Sequence, residues 1–251
     1  IGMMQHFERD IKLIVFDDLD DKQIVAHIII NQNIKLDKNL YKKNSLSTCK
    51  ILYGIEYMCL RNDILQMQIP KYQYKNDVTQ IMISLGGGNN ADSIIQIFQA
   101  MNDNFFGLIN VLSTDDNEKK RLIDLNSNNF SFNFEVIFGS LDSSVYQYDT
   151  DLIIGAGGLS LWERIFLKIP SIIISISDNQ RPYCEYLSHK GFINYIGHID
   201  QFATYGRSEL VRLVENFKDE NPKKNVPETF IDGCGRSRVA DQIELIDNSA
   251  P

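Results

Sequence analysis

Short apolar runs alternate with helix-patterned stretches along almost the whole chain, and no other feature constrains the fold as tightly. The runs are Ile11–Phe16, Ile24–Ile30, Ile81–Leu85, Leu108–Leu112, Phe134–Phe138, Leu152–Ile154 and Ser171–Ile176. Helix patterns fall at Ala91–Met101, Glu118–Asp124, Leu159–Leu167, Arg181–His189 and Glu209–Phe217. Strands covered on both faces read as continuous apolar runs rather than alternating ones. Strands separated by helices predict an α/β fold with a parallel sheet. The aromatic segment FNFEVIF, ending at Phe138, reads as a buried strand.

The stretch Ile69–Thr79 is polar, carries a proline and lacks periodicity, which predicts a linker. It divides the chain into 1–77, a short part with two or three strands, and 78–246, a larger α/β domain, followed by a tail over 247–251. The chain opens Ile-Gly-Met-Met, which fits either removal of an initiator or the cutting of a longer protein.

Composition narrows the partners. Lys and Arg number 25 against 33 Asp and Glu, a formal net charge of −8. Phosphate-backbone binding needs concentrated basic surface, so nucleic acid is not expected as a partner. No apolar run approaches the ~20 residues of a membrane-spanning helix, and no polybasic stretch suits an anionic membrane. Cys49, Cys59, Cys184 and Cys234 are scattered without a C-x-x-C pair. They read as reduced thiols of a cytoplasmic protein rather than a zinc site or disulfide framework.

Two strand–glycine–helix segments carry the chemistry. IMISLGGGNN runs from an apolar strand through Gly86, Gly87 and Gly88 into a helix led by Ala91. DLIIGAGGLSLWE does the same through Gly155, Ala156, Gly157 and Gly158, then Leu159, Ser160 and Glu163. Such turns aim backbone N–H groups and a positive helix end at one point, where phosphate fits without Lys or Arg. The alternative is a tight turn whose glycines only supply positive φ. Gly155, Gly157 and Gly158 would let a ligand approach the backbone. Glu163 suits two vicinal hydroxyls of a ribose, or simply the helix dipole. SIIISISDNQ ends a third strand in Asn179 and Gln180, whose amides suit sugar hydroxyls; helix capping by Asp178 or Asn179 is the plainer role. Two such turns in one parallel sheet place a cleft at the carboxyl ends of the strands.

These residues resemble a known family. GAGGLSLWER, the Ile169–Pro170 pair and DNQ are similar to the C-terminal half of GT-B-type UDP-sugar enzymes, closest to the UDP-sugar hydrolases of pseudaminic acid biosynthesis. IVFDD (Ile14–Asp18), INQN (Ile30–Asn33), GIEYMCLR (Gly54–Arg61), ISLGGG (Ile83–Gly88) and IDGCGRSRV (Ile231–Val239) resemble that family's blocks in the same order. The resemblance runs from Ile11 to Val239. It implies a GT-B-like Rossmann-type sheet: a C-terminal nucleotide-binding domain plus a partial N-terminal domain. It implies release of UDP from a 2,4-diacetamido-2,4,6-trideoxy sugar nucleotide, with UDP or UDP-sugar as ligand and no cofactor or metal.

Carried over residue by residue, the resemblance gives Gly155–Ser160 to the diphosphate and ribose and Glu163 to the ribose hydroxyls. It gives Gly86–Gly88 to the phosphates, Asn179 and Gln180 to the sugar, with Asn179 at the reaction centre, and Val136–Ser140 to uracil. The family's G-x-G-H-x-x-R motif, with its catalytic His, is absent; His6, His27, His189 and His198 all lack the glycine prefix. The chain then corresponds to the nucleotide-binding half and the tail of the other half, poorly active as it stands, with the rest supplied by a missing N-terminal domain or a partner subunit. A related UDP-sugar glycosyltransferase, on one chain or split between two subunits, and a non-catalytic nucleotide-sugar-binding protein are the alternatives. Trp162 and His27 read as core or edge packing, and Asp17–Asp18 as a strand-end turn or a cleft pair. Tyr57 and Arg61 read as surface packing or cleft residues. Cys184 and His189 read as lying away from the substrate.

Overall fold

The computed structural model describes residues 11–19, 23–36, 41, 49–67, 78–125, 129–139, 150–217, 226–227 and 229–247. Most of the expected linker and tail, together with His6 and Ser140, lies outside them. The chain forms two units. One comprises residues 1–65 and 227–251, the other 66–226.

The first unit holds a parallel three-stranded sheet, β1 (Ile14–Phe16), β2 (Ile28–Asn31) and β3 (Lys50–Tyr53), in that order. Side chains alternate across a strand, so Ile28 and Ile30 face one side and Ile29 the other. Ile28, Ile30 and Leu52 form a cluster with Val239, joined by Ile243 and Ile246. Those last three residues lie on α7 (Gly235–Asp247). Ile29 packs with Ala26 and Tyr41 on the opposite face. A short helix, α1 (Asn62–Gln66), follows β3.

The division differs from the 78–246 domain expected from sequence, because α7 returns to the first unit. Its apolar stripe covers β2. A side chain at Gly235 would strike the Met58 backbone, and Arg238 donates to the Glu56 carbonyl at 2.9 Å.

The second unit is a six-stranded parallel sheet. In chain order its elements are β4 (Gln80–Ser84), α2 (Ala91–Met101), β5 (Leu108–Ser113), α3 (Asp116–Ile123), β6 (Asn133–Phe138), β7 (Leu152–Ala156), α4 (Leu159–Phe166), β8 (Ser171–Ser175), α5 (Arg181–His189), β9 (Asn194–His198) and α6 (Arg207–Glu215). The strand order is β6-β5-β4-β7-β8-β9. The chain thus builds outward from β4 to one edge, then returns to the centre and builds from β7 to the other, the doubly wound pattern.

One face carries Ile81, Ile83, Ile109, Val111, Leu152, Ile154, Ile172 and Ile174, packed with Ile94, Ile97 and Phe98 of α2 and Leu210 and Leu213 of α6. The other face, with Met82, Ile153 and Ile173, is equally buried, and α4 and α5 lie against β7 and β8. At the amino ends of β4 and β7, the Asp151 carboxylate accepts from the backbone N–H of Thr79 and Gln80 at 2.8 and 2.9 Å and ties the two central strands together.

β6 is not a buried strand. It is an edge strand with alternating exposure. Phe134 packs against Phe98 with ring centroids 4.9 Å apart and the rings tilted by 49°, whereas Phe138 stands exposed with the Lys119 ammonium over its ring at 4.5 Å. Among the described helices none is long and apolar enough to cross a membrane.

Candidate functional site

The strand order reverses between β4 and β7, and ligands of open α/β sheets bind outside the carboxyl ends of the strands at that point. Both glycine turns lie there. Ser84 of β4 pairs with Gly155 of β7, so the two strands leave the sheet at the same level. Gly86–Gly88 follow one strand and Gly157–Gly158 the other, each leading into a helix.

The two turns use their glycines differently. Gly86 and Gly88 have φ of 91° and 90°, where only glycine sits without strain. Side chains at Gly86, Gly87 or Gly88 would meet nothing within 4 Å. At the other turn the space is filled from within. A Cβ on Gly155 would stand 2.7 Å from the Arg164 guanidinium, and one on Gly157 only 2.5 Å from Cys184 Sγ. Gly155 and Gly157 are therefore small to admit neighbours of their own chain, not to admit a ligand. Gly158 is the open residue of this turn; its nearest neighbour on that side is Gln180 Nε2, at 3.7 Å.

α4 starts at Gly158 without a side-chain cap and without an acidic residue in its first turn. Leu161, Trp162, Arg164 and Ile165 face the core. Leu159 and Glu163 share the other flank, as residues four apart do on a helix, and Ser160 lies between that flank and Arg164; Leu159 is 67% exposed and Glu163 half-buried. Ala156, at the end of β7, is buried. Trp162 is fully buried against Tyr183, centroids 5.5 Å apart.

Gln180 is buried. Its Oε1 accepts the Ile176 N–H at 3.0 Å, and its amide nitrogen faces Gly158, so it braces the turn from behind. Asn179 is more open, and its Oδ1 accepts from the Ser177 hydroxyl at 2.7 Å. The Tyr183 hydroxyl donates to the Gly157 carbonyl. Cys184 packs beside that residue, and burial pushes its thiol up to about 12 despite the nearby Arg164 charge.

Two buried charges escaped the sequence reading. Arg164 is 1% exposed and donates to the Ala156 carbonyl and, at 3.0 Å, to Ser160 Oγ. Glu118 is 1% exposed, and its Oε2 accepts the Asn90 N–H at the head of α2 at 2.5 Å. The only trace of the first in the sequence is an Arg one turn after a Ser at a strand–glycine–helix junction.

The remaining candidates have structural partners. His27 Nδ1 accepts the Leu13 N–H at 3.0 Å, and His198 Nδ1 the Asp200 N–H at 3.2 Å. The Asp17 carboxylate accepts from the Tyr41 hydroxyl at 2.7 Å and from the Leu19 N–H, which locks a strand-end turn. Tyr57 packs on the Val239 cluster, and Arg61 lies 3.8 Å from Asp63. Asp115 caps α3. The proposed uracil segment begins within β6, at the sheet's edge. Among the described residues no group of three His, Cys, Asp or Glu could hold a metal.

No family model matches the chain. A curated relative, an uncharacterized protein of Methanocaldococcus jannaschii, is 24% identical over 242 residues, covering 86% of this chain and 49% of its own length. The chain therefore spans about half the length of the curated relative it matches. Among solved structures, S. aureus MnaA in a co-structure with UDP aligns with a TM-score of 0.57 at 12% identity, over 90% of this chain and 61% of that one. The UDP-GlcNAc 2-epimerase of Neisseria meningitidis, bound to UDP-GlcNAc, aligns at 0.56 and 13% identity, over 87% and 61%. The glycosyltransferase of kitacinnamycin aligns at 0.51 and 14% identity, over 87% and 54%. At these identities the likeness is one of fold: the chain is a GT-B-like α/β protein that spans part of the length of such chains.

Proposed function

We propose that the carboxyl ends of β4 and β7 bind a UDP-sugar. The observation that carries the reading is the meeting of two glycine turns at the one point where the strand order reverses. Solved structures of this fold hold UDP and UDP-GlcNAc, which supports the ligand class.

In this reading the N–H groups of Gly158, Leu159 and Ser160 at the head of α4 take diphosphate oxygens. Glu163, on the same flank, accepts the ribose hydroxyls. Gly86–Gly88 line the facing wall, where the open space lets a ligand lie against backbone. Ala156 and Gly155 shape the turn from behind. Asn179 meets the sugar near the bond to be broken, braced by Gln180. The finer reading, a hydrolase releasing UDP from a 2,4-diacetamido-2,4,6-trideoxy sugar nucleotide, rests on the ordered sequence blocks. Its chemistry needs dipoles for the leaving diphosphate, which the helix heads supply, and a base for water. The family's His motif is not in this chain, so the base would come from outside it, from a further domain or a partner subunit. No metal or cofactor is part of the reading.

The test is calorimetric titration with UDP, CMP and GMP. Selective UDP binding that Glu163→Ala weakens by about tenfold or more is the expected result. A folded sample that binds none of the three overturns the reading.

A further inference from the structure

The two glycine turns look alike in sequence but are electrostatic opposites. We propose that buried Arg164 makes the β7–α4 turn the diphosphate seat, and that buried Glu118 keeps the β4–α2 turn from being one. The proposal rests on the nucleotide reading above and names Arg164 as a positioning residue that acts through the turn.

Both side chains are 1% exposed. A charge at such depth is retained only with good hydrogen-bonding partners, and each is spent on one turn. Arg164 donates to the Ala156 carbonyl and to Ser160 Oγ, with its guanidinium seated in the space Gly155 leaves. Tyr183 draws the Gly157 carbonyl inward in the same way. In a trans peptide the N–H points opposite to the C=O. Carbonyls pinned toward the core therefore turn the N–H groups of Gly157 and Gly158 outward, with a positive charge behind them. No acid or side-chain cap competes at the head of α4.

The head of α2 is already filled. Asp115 caps α3, accepting the Glu118 N–H at 2.8 Å. Asp115 and Glu118 stand at capping-box spacing, and a capping box would return the Glu118 carboxylate to the Asp115 N–H. It goes instead to Asn90, 28 residues away in the chain. Asn89 Oδ1 accepts the Ala91 N–H at 3.2 Å; Asp92 in the first turn is paired with Arg121 at 2.6 Å, so among the described residues the acid left at this head is Glu118. An anionic phosphate there would meet a carboxylate. Gly86–Gly88 are left to face the uncharged, hydroxyl-bearing part of the ligand.

The experiment is calorimetry with UDP, pyrophosphate and uridine on the full chain and on the Arg164→Met, Arg164→Lys, Tyr183→Phe and Glu118→Gln variants. Circular dichroism establishes that each is folded. Arg164→Met is expected to weaken UDP and pyrophosphate by about tenfold or more and to leave uridine unchanged. Arg164→Lys keeps the charge and should recover part of the loss. Tyr183→Phe removes one hydroxyl and should lower the UDP-to-uridine affinity ratio without unfolding; it carries the test with Arg164→Lys if Arg164→Met does not fold. Glu118→Gln should open a second, weaker pyrophosphate equivalent.

Unchanged UDP affinity in the folded Arg164 and Tyr183 variants, or a second pyrophosphate equivalent in the unaltered chain, overturns the proposal. Pyrophosphate binding that depends on Arg164, without preference for UDP, sustains it and removes the nucleotide reading. UDP preference indifferent to Arg164 does the reverse. Binding of neither ligand overturns both.

Discussion

The guanidinium carbon of Arg164 lies 2.7 Å from the point where a Cβ on Gly155 would stand. The two residues fill one volume, a strand end and a helix side chain sharing the space of a missing methyl group. Gly155→Ala is therefore expected to displace Arg164 and to destabilise the second unit by about 1–3 kcal/mol, the usual range for overpacking. Trp162 is the chain's one tryptophan and is fully buried in this unit, so its fluorescence during urea unfolding reports the change directly. A Gly155→Ala variant within about 0.5 kcal/mol of the unaltered chain would show that the guanidinium moves aside freely.

Cys184 gives an alkaline prediction. Burial raises its thiol from the ordinary 9.0 to about 12. The folded state thus holds this proton more tightly than the unfolded chain. The contribution is fully present below pH 9.0 and is lost as pH rises toward 12, at up to ~1.4 kcal/mol per pH unit in that window. Urea midpoints at pH 8 to 11 should fall more steeply in the unaltered chain than in Cys184→Ala. Parallel slopes would refute the assignment. In the folded protein at neutral pH, iodoacetamide should label exposed Cys234 well before Cys184.

Asp232 gives the acid counterpart, in the other unit. Hydrogen bonding to Arg238, then to the Cys234 N–H, holds its carboxyl down at about 2, against an ordinary 3.8. A depressed folded value stabilises above pH 3.8, and the stabilisation is lost as pH falls through 2. Arg238→Met should return the Asp232 titration, followed by carboxyl NMR, most of the way to its ordinary range. It should also loosen the attachment of α7, because Arg238 bridges Asp232 and the Glu56 carbonyl. An unmoved titration would assign the shift to the backbone donor alone.

Much of this molecule was legible before its structure. The periodicity of ADSIIQIFQAM gives α2 its observed ends, Ala91 and Met101, because its buried residues recur at helical spacing. Pro182 near the start of α5 fixes the beginning of that helix. β9 is not legible in the sequence: NYIGH is short, polar at both ends and broken by Gly197 at φ 99°. α7 packs in the first unit, and nothing in its own residues says that Val239 meets Ile28, more than two hundred positions earlier in the chain. The strand–glycine–helix pattern shows where the glycine turns lie, but not the reason for each glycine. Arg164 and Glu118 look like ordinary solvated charges on helices. Their partners, Ala156 and Asn90, are brought to them only by the fold.

The return of α7 has a consequence for how the chain is made. The second unit is one continuous segment and is complete once Val226 has been synthesised. The first unit is not. Its strands β1 to β3 are made before the second unit, yet one face of Ile28, Ile30 and Leu52 waits for α7, which is made after it. From the synthesis of β3 to that of α7 the nascent chain carries a bare apolar sheet face while the whole of the second unit is being made, a natural landing place for chaperones.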